Sequence, residues 1–184
     1  MKAPTTLETP RLVLRRPTVR DARTMFERYA SNPEVTRYLG WPRHRSVEDT
    51  EAFLAFSDAE WERSPAGPYV ILSQTDGTML GSSGLGFETP YRAVTGYVLA
   101  RDAWGCGYAT EALQAMVSLA PTIGVRRLYA LCHPEHQAST RVLEKCAFTR
   151  EAMLRRYAEF PNLEPGRLSD VLVYTRLFDG EEAD

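Results

Sequence analysis

The chain is poor in the residues that staple small domains. Its three cysteines, Cys106, Cys132 and Cys146, are odd in number and form no Cys-x-x-Cys pair, which excludes a disulfide framework and a dithiol redox centre. Lysine is scarcer still, with Lys2 and Lys145 the two among 22 basic residues. No apolar run approaches the ~20 residues that cross a bilayer, and Met1-Lys2-Ala3-Pro4-Thr5 lacks the apolar core of a secretory signal. The compartment expected is therefore the cytoplasm. Charge of one sign is also missing: a net charge of -2 supplies no global field to draw nucleic acid or an anionic membrane, so neither is an expected partner. Repeats and low-complexity tracts are absent too. The expectation is one domain over residues 1–184, with an acidic tail from Asp179, long enough to bury roughly 70% of its unfolded surface.

What is present alternates between strand and helix periods. Arg11 to Arg16 reads as a half-buried strand stopped by Pro17. Thr18 with Asp21 and Ser46 with Asp49 are capping-box patterns, which predict helices over about 18–30 and 46–61. Between them lies an aromatic loop, Tyr38-Leu39-Gly40-Trp41-Pro42. Asp76-Gly77 between Tyr69–Leu72 and Met79–Gly81 predicts a hairpin, and a strand is expected over about 94–100. Apolar residues from Tyr108 then recur at helical spacing as far as Pro121, which is expected to end that helix. Leu128 to Cys132 returns to strand. Strand, glycine turn, helix and strand over about 94–132 predict a right-handed parallel βαβ unit. A helix over about 138–146 and strands near 149–160 and 170–177 complete the chain.

The most specific local feature is Trp104-Gly105-Cys106-Gly107-Tyr108-Ala109-Thr110-Glu111-Ala112, where a strand gives way to a helix. Glycines admit a close ligand, and the first helical amides are unpaired donors at the positive end of the dipole. Such a turn holds a phosphate or pyrophosphate. A nucleoside triphosphate loop needs Gly-Lys-Ser/Thr, and this turn has no lysine. A dinucleotide site needs an acid about 20 residues on, where Val125-Arg126-Arg127-Leu128 stands. Coenzyme A remains as the third candidate.

Gly96-Tyr97-Val98-Leu99, the turn from Trp104 to Ala112, and Ser139-Thr140-Arg141-Val142-Leu143-Glu144-Lys145-Cys146-Ala147-Phe148 together resemble the GNAT superfamily of N-acetyltransferases. Thr9-Pro10-Arg11-Leu12-Val13-Leu14-Arg15 and Asp170-Val171-Leu172-Val173-Tyr174 resemble its Rim-type branch, which acetylates the N-terminal α-amine of ribosomal proteins and related substrates. The resemblance implies the GNAT fold, an α/β (α+β) domain: a mixed, mostly antiparallel sheet of about seven strands, a central parallel βαβ unit and flanking helices. It implies acetyl-CoA as cosubstrate, an amine acceptor as partner, direct transfer without a covalent enzyme intermediate, and a monomer or homodimer.

Carried residue by residue, the resemblance assigns acetyl-CoA to Tyr97, Val98, Leu99, Trp104, Gly105, Cys106, Gly107, Tyr108, Ala109, Thr110, His136 and Ser139. The amides around Val98 and Leu99 would meet the oxyanion. His136 stands where the family has an asparagine, and Ala147 where it usually has a glycine. Glu159 matches the position of a proposed general base, and Ser139 that of the group that protonates the leaving thiolate. Trp41, Phe87, Tyr157 and residues 161–168 are candidates for the acceptor side. Cys132-His133-Pro134-Glu135-His136 invites a metal reading, but its spacing matches no common ligand set and Cys132 and His133 would face opposite sides of a strand. No metal is expected. The readings open at this point are an N-terminal acetyltransferase, a small-amine acetyltransferase acting on an antibiotic, polyamine or amino acid, and a non-catalytic CoA-binding module.

Overall fold

The computed structural model describes residues 1–178, so the acidic tail expected from Asp179 lies outside the described residues. Eight strands form one sheet in the order β1-β2-β3-β4-β5-β6-β8-β7. They are β1 (Thr6–Glu8), β2 (Leu12–Arg15), β3 (Pro68–Ser73), β4 (Met79–Thr89), β5 (Arg92–Leu99), β6 (Arg127–Cys132), β7 (Thr149–Glu159) and β8 (Leu168–Leu177). Neighbours are antiparallel except β5 and β6, which run parallel as the βαβ pattern predicts.

The sheet has one strand more than expected. Thr6–Glu8 is too short to show a period, and its pairing with Val13–Arg15 makes it a strand. The hairpin arm after Gly77 also runs further than its apolar residues indicate, to Thr89, because β4 pairs with β5 along nearly its whole length. Pro121 lies inside the last turn of its helix rather than ending it. The proline there forgoes one helical bond, from its position to the Val117 carbonyl, so near the end that the helix finishes within its turn.

Both capping boxes form. Thr18 and Asp21 start a short 3-10 turn that continues as α1 (Ala22–Met25) and a π-helical turn, Phe26–Ala30. A short helix, α2 (Pro33–Thr36), follows, and Ser46 with Asp49 starts α3 (Val47–Arg63). Two further helices are α4 (Tyr108–Thr122) and α5 (Gln137–Lys145).

Alternation along the strands divides the core between the two faces of the sheet. Tyr69 and Ile71 join Leu12, Leu14, Leu85 and Leu128 in the cluster under Leu113 and Met116 of α4. Val70, from the other face of β3, packs with Met25, Tyr29 and Leu54 of the N-terminal helices. β5 lies between these layers, with Ala93 and Leu99 in the first cluster and Val98 in the second.

Candidate active site

The glycine turn is braced from outside. Gly105 and Gly107 have φ of 76° and 81°, the left-handed region that L side chains enter only with strain. None of the amides from Gly105 to Thr110 donates to a backbone carbonyl of the described residues, which leaves them as unpaired donors at the start of α4. Arg11 donates from Nη1 to the Cys106 carbonyl at 2.9 Å and pairs through Nε with Glu111 at 2.7 Å. Glu111 also accepts from the Thr9 hydroxyl at 2.6 Å and the Arg11 amide at 2.8 Å. Desolvation opposes the charge on Glu111, but the bonds from Thr9 and Arg11 outweigh it and hold the carboxyl below its ordinary range. Trp104 donates from Nε1 to the Leu99 carbonyl at 2.9 Å, and Arg101 lies 4.6 Å over its ring. The donor set suits a pyrophosphate held by backbone amides. The Cys106 thiol is exposed, and this residue lends the turn its carbonyl.

Beyond the turn, the parallel pair separates. β5 and β6 match only over Arg92–Val94 and Arg127–Tyr129, although β5 continues to Leu99 and β6 to Cys132. The edge of β5 that carries Tyr97, Val98 and Leu99 therefore has no strand beside it. Tyr97 reaches across this opening to α5, where its hydroxyl donates to the Ser139 carbonyl at 3.0 Å and shares a hydrogen bond with Ser139 Oγ at 2.9 Å. Burial pushes the Tyr97 phenol well above its ordinary pKa, so it stays protonated at neutral pH.

The opening leads into a cavity of about 990 Å³, which Tyr97, Cys132, His136 and Ser139 line at one side. Its other walls come from the aromatic loop and α3, with Tyr38, Trp41, His44, Phe53 and Phe56. Ser82, Gly84, Gly86 and Gly96 of the paired strands also line it, and a Cβ at Gly96 would meet nothing within 4 Å. The roof is fixed by Asn162. Its amide nitrogen donates to the carbonyls of Thr36 and Trp41, each at 2.8 Å, and its oxygen accepts from the Arg43 amide at 2.7 Å.

The expected site residues do not all meet here. Trp41 lines the cavity, as do Tyr97, Val98, His136 and Ser139. Phe87 instead packs against the main core, and Tyr157 is 56% exposed on β7; neither lines the cavity. Glu159 is also outside it. Ala158 and Phe160 line the cavity while Glu159, between them, is exposed and accepts from the Gly166 amide at 2.8 Å. The strand period that turns Ala158 inward turns its neighbours outward. Cys132 and His133 were expected on opposite faces; both line the cavity, because β6 ends at Cys132 and the alternation ends with it.

Sequence reasoning missed several lining residues. Tyr38 stacks on two imidazoles, 5.1 Å from His133 and 4.8 Å from His136, ring centre to ring centre. Glu60, on the last turn of α3, is buried at the cavity and pairs with Arg63. Tyr29 brings a buried hydroxyl that has no hydrogen-bond partner among the described residues. Of these, only Tyr38 lay in a segment whose composition drew notice; the others depend on long-range contacts.

The sequence profile of the acetyltransferase (GNAT) domain matches residues 11–149. The chain is 31% identical over 176 residues to an uncharacterized N-acetyltransferase p20 of Bacillus licheniformis, covering 94% of this chain and 96% of that protein. Among solved structures, it is similar to RimL, a ribosomal L7/L12 alpha-N-protein acetyltransferase in complex with coenzyme A, at TM-score 0.82 and 25% identity, over 95% of this chain and 98% of that one. It is also similar to RimJ of Mycobacterium smegmatis in complex with CoA-disulfide, at TM-score 0.78 and 25% identity, over 90% and 81% of the two chains. The chain belongs to the GNAT family of acetyltransferases and is an acetyl-CoA-dependent N-acetyltransferase; the RimL and RimJ structures are among the solved structures it is similar to.

Proposed function

We propose that this acetyltransferase modifies the α-amine of a protein or peptide N-terminus. The observation that carries the reading is the scarcity of free carboxylate in the cavity. Asp49 accepts the Arg45 and Ser46 amides and Glu60 pairs with Arg63. A lysine side chain, with a pKa of ~10.4, needs a strong base or a carboxylate to receive its ammonium, whereas an α-amine near ~8 is partly neutral already. The similarity to RimL, an alpha-N-protein acetyltransferase, supports the same acceptor.

In this reading the amides of residues 105–110 hold the pyrophosphate of acetyl-CoA, and Tyr97, Val98 and Leu99 border its acyl arm in the gap between β5 and β6. Holding amine and thioester in line supplies much of the rate, since oriented reactants reach effective molarities of ~10⁵ M or more. Unpaired amides on the β5 edge stabilise the oxyanion. Ser139, tied to Tyr97, supplies the proton that the departing sulfur needs.

A second reading, a small amine, is favoured by one feature: Asn162 fixes the cavity-lining segment Trp41 to Arg43 beside the aromatic wall. Mass spectrometry after incubation with acetyl-CoA separates the two. The protein is offered peptides with free N-termini, the same peptides with blocked N-termini but free lysines, and a set of polyamines, amino acids and aminoglycosides. Acetylation of the free N-termini is expected. Acetylation confined to the small amines or to lysine side chains overturns the proposal.

A further inference from the structure

We propose that His136 is the proton acceptor of the transfer reaction, taking over in this chain the task for which Glu159 is not placed. Three observations converge on it. His136 precedes Ser139 by one helical turn at the start of α5, and the Ser139 amide donates to the His136 carbonyl at 3.0 Å. Both side chains line the cavity into which Tyr97 points. Neither ring nitrogen of His136 has a hydrogen-bond partner among the described residues, although the ring is held in place by its 4.8 Å stack on Tyr38.

The other imidazoles and the carboxylates at the cavity are committed, as is Tyr97. His44 Nδ1 bonds the Thr50 hydroxyl at 2.8 Å, and His133 Nδ1 accepts the Glu135 amide at 3.2 Å. Asp49 caps α3, and Glu60 pairs with Arg63. Tyr97 is bonded to Ser139. His136 is left with its lone pair available, and its environment keeps it neutral. Burial, and then the neighbouring His133, lower its pKa below the ordinary imidazole value. The titratable groups that face it are Tyr38 from the aromatic loop and His133 and Cys132 from the end of β6. None of them is an acid ionised at neutral pH that would hold the imidazolium form.

The step balances. The neutral amine attacks the thioester carbon, and a nitrogen–carbon bond forms. The amine proton passes to the His136 imidazole, the carbon–sulfur bond breaks, and the thiolate takes the Ser139 hydroxyl proton. The imidazolium proton then restores the Ser139 hydroxyl through solvent. Amine and thioester enter; amide and thiol leave. The proposal holds for either class of amine.

The decisive variant is His136→Asn, the residue the family resemblance gives at this place. With any amine that the wild-type protein acetylates, kcat and kcat/KM are measured from about pH 5 to about pH 9, with CoA affinity by calorimetry and the melting temperature alongside. The expected result is a fall in kcat of about 10²-fold, unchanged CoA affinity, and loss of an acid limb that lies below the ordinary imidazole pKa of ~6.5. A limb belonging to the amine itself stays in both proteins. His136→Gly with added imidazole is the second variant, and recovery of rate with imidazole concentration is expected. A folded His136→Asn protein with wild-type kcat and pH profile overturns the proposal. So does a loss of rate that only tracks weakened CoA binding, which makes His136 a cofactor contact.

Discussion

The Tyr97 hydroxyl and Ser139 Oγ lie 2.9 Å apart and join β5 to the first turn of α5 across the gap in the sheet. A tyrosine held protonated by burial beside a serine can pass a proton toward that gap without itself ionising. Ser139→Ala is expected to lower kcat by about 10²-fold, the scale of losing one positioned proton donor. Tyr97→Phe removes only the support and is expected to lower it less. Steady-state kinetics with CoA affinity measured in parallel checks this. A kcat loss that is larger in Tyr97→Phe places the donor on the tyrosine instead.

Gly107 has φ of 81° at the N-cap of α4. Gly107→Ala puts a Cβ 3.4 Å from the Arg11 guanidinium and forces an L side chain into the left-handed region, which costs roughly 1–2 kcal/mol. Lower stability in chemical denaturation and weaker CoA binding by calorimetry are both expected. Unchanged CoA affinity would remove the turn from the cofactor site.

Glu111 ties α4 to β2 with bonds from Thr9 and Arg11. Because its carboxyl titrates below the ordinary 4.5 in the folded chain, its stabilisation is fully present above pH 4.5 and is lost as the pH falls through the lower folded value. Glu111→Gln is expected to lower stability by about 2 kcal/mol at neutral pH and to flatten the melting curve against pH in that acid window. Thermal melts of both proteins across the window test it.

Asn162 holds the loop above the cavity through three hydrogen bonds to Thr36, Trp41 and Arg43. Asn162→Ala is expected to raise KM for the amine by about tenfold, equal to ~1.4 kcal/mol, while CoA affinity stays as it was. Faster limited proteolysis between residues 37 and 45 is expected alongside.

The sequence showed the cofactor side more fully than the acceptor side, for a physical reason. The phosphate turn is local: Gly105, Gly107 and the following helix lie within one short segment, so their order in the chain carries their geometry. Ser139 and His136 are likewise one turn apart. The acceptor wall is assembled from α3, the aromatic loop, two strands and the segment after β7, which no local pattern links. Thus Trp41, in the aromatic loop, lines the cavity, whereas Phe87 and Tyr157, candidates from the same divergent acceptor side, lie outside it. Glu159 shows the limit most clearly, since one step of strand alternation separates it from Ala158 and Phe160, which do line the cavity. The fold itself was legible in the capping boxes, the hairpin and the βαβ period; β1 was not, because three residues carry no period.

The account turns on the gap between β5 and β6 as the place where the thioester meets the amine. A crystal structure of the protein with coenzyme A tests that most directly. The account predicts the pyrophosphate on the amides of residues 105–110 and the sulfur within reach of Tyr97, Ser139 and His136. A sulfur on the far side of β6, or a pyrophosphate away from the start of α4, would contradict it.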